Sequence, residues 1–379
     1  VSTEEPWPLL GGGTETPPAA EGGRCPNCTY PVAAWASFCE GCGAPLLPTE
    51  PPPPPTPGRG GSAPTRRLGV TAPAQACLQC GGVVDADGYC QTCGAKAPTG
   101  RDHLESSPAP WLAGVCDRGV QHPRNEDAMA LWAAADAPHG VLVVCDGVST
   151  SAEADLASQA GVDRACAVLS GAGLTPDTPD PEVAELLVRA AAEANSAISD
   201  ATVVEGPHAG SATFAAAVVL GDAIHYASLG DSRVYWLSAT DQLLLTRDDS
   251  VAQDFIDQGM PRDEAEAMPK AHAITRWLGS DAEDFTPRTG VHHPSGEGWL
   301  VVCSDGLWNY ASAPEALAVQ LAAASQDDPS PLAAARGLVV WANAQGGHDN
   351  VTVALARYPV RLEEPAETGA TEEGDQIDG

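Results

Sequence analysis

The hydrophobic pattern divides the chain into three regimes. Residues 1–109 are punctuated by Pro, Gly and Cys and hold no long periodic run. Residues 110–359 alternate short apolar runs with longer amphipathic ones. Residues 360–379, "VRLEEPAETGATEEGDQIDG", are acidic and aperiodic and read as a disordered tail. In the middle regime "HGVLVVCDGV", "SATFAAAVVLG", "AIHYASLG", "SRVYWLS", "GWLVVCSDG" and "NVTVALARY" read as strands bounded by Gly, Asn or Asp. Runs 152–170, 181–200, 251–268, 314–325 and 331–344 read as helices. Asp180-Pro181 predicts an N-cap with Pro in the first turn. The spacing of Ser312 and Glu315 predicts a capping box. The short turns in "VVLGDAIHYASLGDSRVYWL" predict antiparallel hairpins, and the whole regime predicts an α+β domain of packed sheets with helices outside.

Two of these strands raise a question. "VLVVCDGV" (141–148) and "LVVCSDGL" (300–307) each end in a carboxylate followed by glycine. A buried, unpaired carboxylate is costly, so something positive is expected where the strands end.

Composition narrows the classes. The chain has 379 residues, enough for about two domains. Its net charge of −32 argues against a nucleic-acid or anionic-membrane partner. No run approaches the ~18 apolar residues of a membrane span. The N-terminus "VSTEEPWPLLGGG" lacks a basic start and an apolar core, so no signal peptide and no membrane insertion are expected. The Ala- and Pro-rich, Lys-poor composition fits a GC-rich bacterial genome.

Cysteine changes the picture most. Of 12 cysteines, eight form CxxC pairs before residue 94. Cys25, Cys28, Cys39 and Cys42 form one doubled set; Cys77, Cys80, Cys90 and Cys93 form the other. Two CxxC turns complete a tetrahedral four-thiolate zinc site with no open position, so two structural Zn²⁺ ions are expected. A redox role fits single CxxC motifs better than doubled ones. Segments this short need metal to fold. Thiolate ligation points to a reducing compartment, hence the cytoplasm. The expected organisation is a disordered 1–22, a zinc ribbon over 23–47, a Pro/Gly linker over 48–74, a second ribbon over 75–97, a linker over 98–109, and one domain over 110–359.

The acids of that domain recur beside Gly or Asn at strand edges: Glu126, Asp127, Asp146, Asp231, Asp305 and Asp349. Carboxylates and carbonyls are the ligands of Mg²⁺ and Mn²⁺. Each Asp-Gly alone is an ordinary turn signal; the order of the set is what singles it out. "DRGVQHPRNEDA", "VVCDGV", "GSATFAAAVV", "ASLGDSRVY", "LTRDDS", "ITRWLG", "LVVCSDGL" and "HDNVTVAL" follow one another as in the PPM, or type-2C, metal-dependent Ser/Thr protein phosphatases, which this chain resembles over residues 110–358.

The resemblance implies a four-layer α-β-β-α sandwich of two antiparallel sheets flanked by helices. It implies hydrolysis of phosphoserine and phosphothreonine in proteins by a metal-bound water, without a covalent intermediate. It implies two Mn²⁺ or Mg²⁺ ions, with a third position available. By position, Asp146 resembles the bridging ligand, Gly147 lends its carbonyl, and Asp305 and Asp349 resemble direct ligands, these three aspartates being the catalytic set. Glu126 and Asp127 resemble the acidic pair that holds water, and Asp231 the extra acidic position. Residues 245–279 resemble the flap beside the active site. His122 stands where many members carry a phosphate-gripping Arg, with Arg118 and Arg124 nearby as substitutes. Phosphate held by His122 would be held best at low pH, since an ordinary imidazole titrates near ~6.5. Val148 stands where animal members carry an acid-donating His. Partners implied are phosphorylated proteins and Ser/Thr kinases. The competing reading is a zinc-ribbon protein-binding module on a catalytically weak scaffold, disfavoured because all six acids are present.

Overall fold

The computed structural model describes residues 82–85, 88–93, 97, 99–204, 206 and 208–360, all within one unit, Ala74–Gly379. The expected first ribbon, with Cys25, Cys28, Cys39 and Cys42, lies outside the described residues, as do Cys77, Cys80, residues 1–74 and the acidic tail from 361.

The elements run in order β1 (His103–Ala109), β2 (Leu112–Asp117), β3 (Ala128–Ala133), β4 (His139–Cys145), α1 (Ala154–Ser170) and α2 (Asp180–Ala201). Next come β5 (Ser211–Ala212), β6 (Phe214–Leu220), β7 (Ala223–Leu229), β8 (Arg233–Ser238), β9 (Gln242–Leu244), α3 (Val251–Asp257) and α4 (Arg262–Glu266). The chain ends with β10 (Leu278–Gly279), β11 (Arg288–His292), β12 (Gly298–Cys303), α5 (Asp305–Trp308), α6 (Pro314–Ala324), α7 (Pro331–Gln345) and β13 (Val351–Tyr358).

Two antiparallel sheets carry the domain, in strand orders β1-β2-β13-β12-β8-β9 and β11-β7-β6-β4-β3. β5 and β10 form a separate short pair. Side-chain alternation builds the layers. Val141, Val143 and Cys145 of β4 face the α1–α2 layer, whereas Leu142 and Val144 face the other sheet. In β12, Val301 and Cys303 face α6 and α7, and Leu300 and Val302 face inward. Strands buried on both faces read as unbroken apolar runs, which is why these two lacked alternation in the sequence. Each fully buried Val or Leu contributes roughly 1.5–3 kcal/mol. The result is the expected α-β-β-α sandwich. Among the described residues no helix is long and apolar enough to cross a membrane.

Several local expectations need correction. Residues 103–109, expected as linker, form edge strand β1, because their backbone pairs with β2 through His103↔Asp117 and its neighbours. Pro179 rather than Asp180 stands at the N-cap of α2, and Pro181 falls within the first turn. The expected capping box is absent: α6 starts at Pro314 with Ala313 as N-cap, and the Ser312 hydroxyl instead donates to Glu266 at 2.7 Å. A buried network has taken the hydroxyl from the helix end. The run 251–268 is two short helices, α3 and α4, broken at Gly259, whose φ of +95 ends the first turn cheaply.

Candidate metal centre

The ends of β4, β12 and β13 and the β2–β3 and β7–β8 loops meet at one end of the sandwich. Asp146 follows the last residue of β4, and Asp305 follows β12 by one serine. Asp349 precedes β13, and Asp231 precedes β8. The pairing Ala128↔Cys145 brings Asp127 beside Asp146. Asp146, Gly147, Asp231, Asp305 and Asp349 line one cleft of about 430 Å³ with Ser149, Ser211, Thr213, His272 and Trp277. Acids separated by some two hundred residues thus share one wall.

Each acid is placed by its neighbours. Asp146 is held through its backbone: its amide donates to Thr213 Oγ1 at 2.9 Å and its carbonyl accepts from the Thr213 amide at 2.8 Å. Asp127 Oδ2 accepts from Ser304 Oγ at 2.6 Å and Thr352 Oγ1 at 2.7 Å. Glu126 accepts from Ser149 Oγ and from the Arg124 guanidinium, both at 2.6 Å. Asn350, 2% exposed, joins the loops: its Oδ1 accepts from the Glu126 amide, and its Nδ2 donates to the Arg118 and Arg124 carbonyls. The Trp308 indole donates to the Asp231 carbonyl at 2.9 Å.

The glycines after the two strand-end aspartates have a steric cause. A Cβ on Gly147 would lie 2.5 Å from the Ala154 carbonyl oxygen and 2.7 Å from that of Glu126. A Cβ on Gly306 would lie 2.0 Å from the Asn350 carbonyl oxygen. Only glycine allows these backbones to approach.

The electrostatics are unbalanced. Asp127 and Asp231 are pushed up to about 7, chiefly by burial. Burial first, and then the neighbouring acids, push Asp146 and Asp305 well above the usual carboxylate range. Asp127 and Asp305 are foremost among the neighbouring acids that raise Asp146. Asp127, Asp146, Asp231 and Asp305 have no ion-pair partner among the described residues. Asp127 Oδ1 and Asp305 Oδ1 are buried without a hydrogen-bond partner. Among the described residues no three His, Cys, Asp or Glu side chains already close into a coordination shell. The acids instead face one another across the cleft. Orphaned oxygens and crowded like charges are what a hard divalent cation would relieve, so the donor set fits Mn²⁺ or Mg²⁺.

Comparison with known proteins agrees with this geometry. Residues 119–325, more than half of the chain, match the family model described as protein phosphatase 2C. The chain belongs to the protein phosphatase 2C family. Residues 25–94 match the double zinc ribbon family. The serine/threonine protein phosphatase PstP of Mycobacterium tuberculosis is 29% identical over 243 residues, 63% of this chain and 43% of that protein. The chain therefore spans less than half the length of that curated relative. The solved serine/threonine phosphatase of S. agalactiae superimposes with a TM-score of 0.55 at 25% identity, covering 67% of this chain and 98% of that one. A PstP catalytic domain in complex with two manganese ions gives a TM-score of 0.51 at 26% identity, with 65% and 97% coverage.

The expected phosphate-binding residues of this phosphatase 2C chain are otherwise engaged. His122 Nε2 lies 3.3 Å from Asp349 Oδ1. Arg118 donates to the His122 carbonyl at 2.9 Å and lies 3.6 Å from Asp102. Arg124 pairs with Glu126 at 2.6 Å. None of the three lines the cleft, whereas His272 does, with its ring centroid 5.7 Å from that of Trp308. Thr213 and Asn350 lie within the quoted motifs but were given no part, because their contacts to Asp146 and to the Glu126 loop come from far along the chain, and His272 carried no local signal. In the second ribbon, Cys90 is buried and pairs in a bridge with Val84, Cys93 is exposed, and the Thr92 amide donates to Cys90 Sγ at 3.4 Å.

Proposed function

We propose that the chain hydrolyses phosphoserine and phosphothreonine in proteins, with Asp146, Asp305 and Asp349 holding two divalent cations. The observation that carries this reading is the convergence of Asp146, Asp231, Asp305 and Asp349 on one cleft of a phosphatase 2C domain, with a buried Asp305 oxygen left without a hydrogen-bond partner. Asp146 would be the acid shared between the cations, with the Gly147 carbonyl beside it. Glu126 and Asp127 would hold water near them, and Asp231 would offer a third position. Bound there, Mn²⁺ or Mg²⁺ would polarise a phosphoryl oxygen and lower the pKa of water. The protein's own contribution is placement: Thr213, Ser304, Thr352 and Asn350 fix the acids before substrate arrives. His272 lines the same cleft and would offer its imidazole to the substrate phosphate.

Cysteine chemistry is disfavoured by position. Cys145, beside Asp146, packs into the helix-facing core, and Cys303 does the same on the other sheet. Attack by water without a covalent intermediate is therefore the fitting route.

Phosphorylated proteins are the inferred substrates and Ser/Thr kinases the inferred opposing partners, in a reducing, cytoplasmic setting. We infer that the double ribbon binds two structural Zn²⁺ ions through Cys25, Cys28, Cys39, Cys42, Cys77, Cys80, Cys90 and Cys93, and serves protein docking or control. The test is phosphate release from a phosphothreonine peptide with Mn²⁺, with EDTA, and with Asp146→Ala. Activity is expected only in the first. Retained turnover under EDTA would overturn the mechanism. A truncation that probes the ribbons has to keep Thr99 onward, because Arg101 and β1 belong to the domain.

A further inference from the structure

The segment ahead of β1 reaches the candidate metal centre through one side chain. Arg101 Nε donates to the Asn125 carbonyl at 3.0 Å, and Nη1 donates to Gln159 Oε1 at 2.7 Å. Nη2 faces three acceptors: the Asp155 carbonyl at 2.7 Å, Ser158 Oγ at 3.0 Å and the Asp127 carbonyl at 3.2 Å. Asn125 Nδ2 returns a bond to the Arg101 carbonyl at 2.9 Å. Ser158 Oγ, which accepts from Arg101, donates in turn to the Glu126 carbonyl at 2.5 Å.

Three consecutive carbonyls, those of Asn125, Glu126 and Asp127, are thereby held, two by Arg101 and one by the serine that Arg101 orients. The Glu126 carbonyl also accepts the Gly147 amide at 3.2 Å, so the same clamp registers the acidic pair against the Asp146–Gly147 strand end. Arg101 makes no ion pair among the described residues. Its planar fork is directed at carbonyls and neutral side chains, a use that lysine cannot reproduce. The backbone just before it is tied to the second ribbon, where the Ala97 amide donates to the Gly88 carbonyl at 2.7 Å.

We propose that Arg101 is a positioning residue for the metal centre. It fixes the carbonyls of the Asn125–Asp127 loop against α1, so that the acids of that loop meet Asp146 at ligand spacing. The inference rests on the divalent-cation reading above.

The test measures Mn²⁺ affinity of the full chain by titration calorimetry, without substrate, beside the metal-free melting temperature. Arg101→Ala is expected to weaken Mn²⁺ binding by about 10–100-fold, the range for partners that orient ligands. Arg101→Lys is expected to remain within about threefold of Arg101→Ala, because charge alone does not restore the fork. Ser158→Ala is expected to weaken Mn²⁺ binding in the same direction. The double variant is expected to fall short of the product of the two effects, since the pair acts as one unit. Arg164→Ala, on the same helix as Ser158 but removing only a surface pair with Glu193 of α2, is expected to leave affinity unchanged. If Arg101→Ala does not fold, Ser158→Ala decides. Unchanged Mn²⁺ affinity in a folded Arg101→Ala or Ser158→Ala chain, beside a wild type that binds Mn²⁺, overturns this inference alone. A wild type that binds no Mn²⁺ overturns the metal reading and this inference with it. A wild type that binds Mn²⁺ but releases no phosphate sinks only the hydrolase reading.

Discussion

Two groups of acids lie within the same domain and are treated oppositely. Within the flap segment, Asp248 and Asp249 are 4% and 3% exposed and fully partnered. Arg233 binds Asp248 at 2.6 Å and Glu266 at 3.0 Å, reaches Tyr235 and Ser312, and lies 3.5 Å from the Trp308 ring centroid. Asp249 receives Arg276 at 3.3 Å and Arg288 at 2.9 Å. Burial pushes Glu266 up, but Ser312 and Arg233 outweigh it and hold the carboxyl below its usual value. At the cleft, Asp231 and the adjoining Asp127 are as secluded, Asp146 and Asp305 are partly buried, and none of the four has such a cation among the described residues. The difference teaches what each group is for. An acid with an arginine fixed in the chain is balanced permanently. An acid crowded with its like is balanced only by a charge that can diffuse in.

Removing one member of each group should separate them most sharply. Asp146→Asn is expected to cut phosphate release by more than about 100-fold, since even partners behind metal ligands cost about 10–100-fold. The same change should raise the stability of the metal-free chain in urea, because it relieves buried repulsion. Asp248→Asn should do the reverse, lowering stability while leaving Mn²⁺ binding intact. Matching signs for the two variants would erase the distinction. Arg233→Met comes next. It strands Asp248 in the interior and is expected to cost about 3–5 kcal/mol of unfolding free energy. A loss below about 1 kcal/mol would show that solvent reaches Asp248.

This contrast was only half legible in the sequence. The strands that end in Asp146 and Asp305 announced themselves, because a carboxylate after an unbroken apolar run is expensive anywhere. The sandwich followed from the same runs and from the motif order. The pairing of Arg233 with Asp248 was not readable, since neither residue carries a local signal and their contact depends on β8 meeting the flap. Ser312 misled for a related reason: its spacing to Glu315 satisfied a local rule that a buried network overrode. His122 matched its motif position, yet the chain turns it onto Asp349. Motif spacing fixes where a side chain starts and not which neighbour claims it.

Cation binding should act on one group only. At a free Mn²⁺ concentration of 100 times the dissociation constant, unfolding free energy is expected to rise by about 2.7 kcal/mol for each ion bound. That increment should vanish in Asp146→Asn and persist in Arg288→Ala, whose partner Asp249 keeps Arg276. Titration of thermal melting against Mn²⁺ checks both. An equal increment in Asp146→Asn would place the cation elsewhere.

The smallest effect lies on the surface, where the paired arrangement recurs in water. His103 Nδ1 lies 2.7 Å from Asp117 and its Nε2 lies 3.2 Å from Glu105, which also pairs with Arg336. The hydrogen bond to Asp117, against a smaller opposing effect of burial, raises the His103 pKa above its ordinary value. Arg336 foremost, with His103 behind it, lowers Glu105 to about 2. A raised histidine stabilises the fold fully below its unfolded pKa of about 6.5, and the gain is lost as pH rises through the folded value. A lowered glutamate stabilises above its unfolded pKa of about 4.5, and its gain is lost as pH falls toward about 2. The two overlap between about pH 4.5 and 6.5. His103→Gln should therefore lower the melting point most near pH 5.5 and hardly at all near pH 8.5. With the imidazole half exposed, solvent screening keeps the cost below about 0.5 kcal/mol, and high salt should shrink it further. A cost that stayed constant across that pH range would mean that His103 contributes packing alone. The paired acids of the flap segment would then owe their stability to seclusion as much as to their arginines.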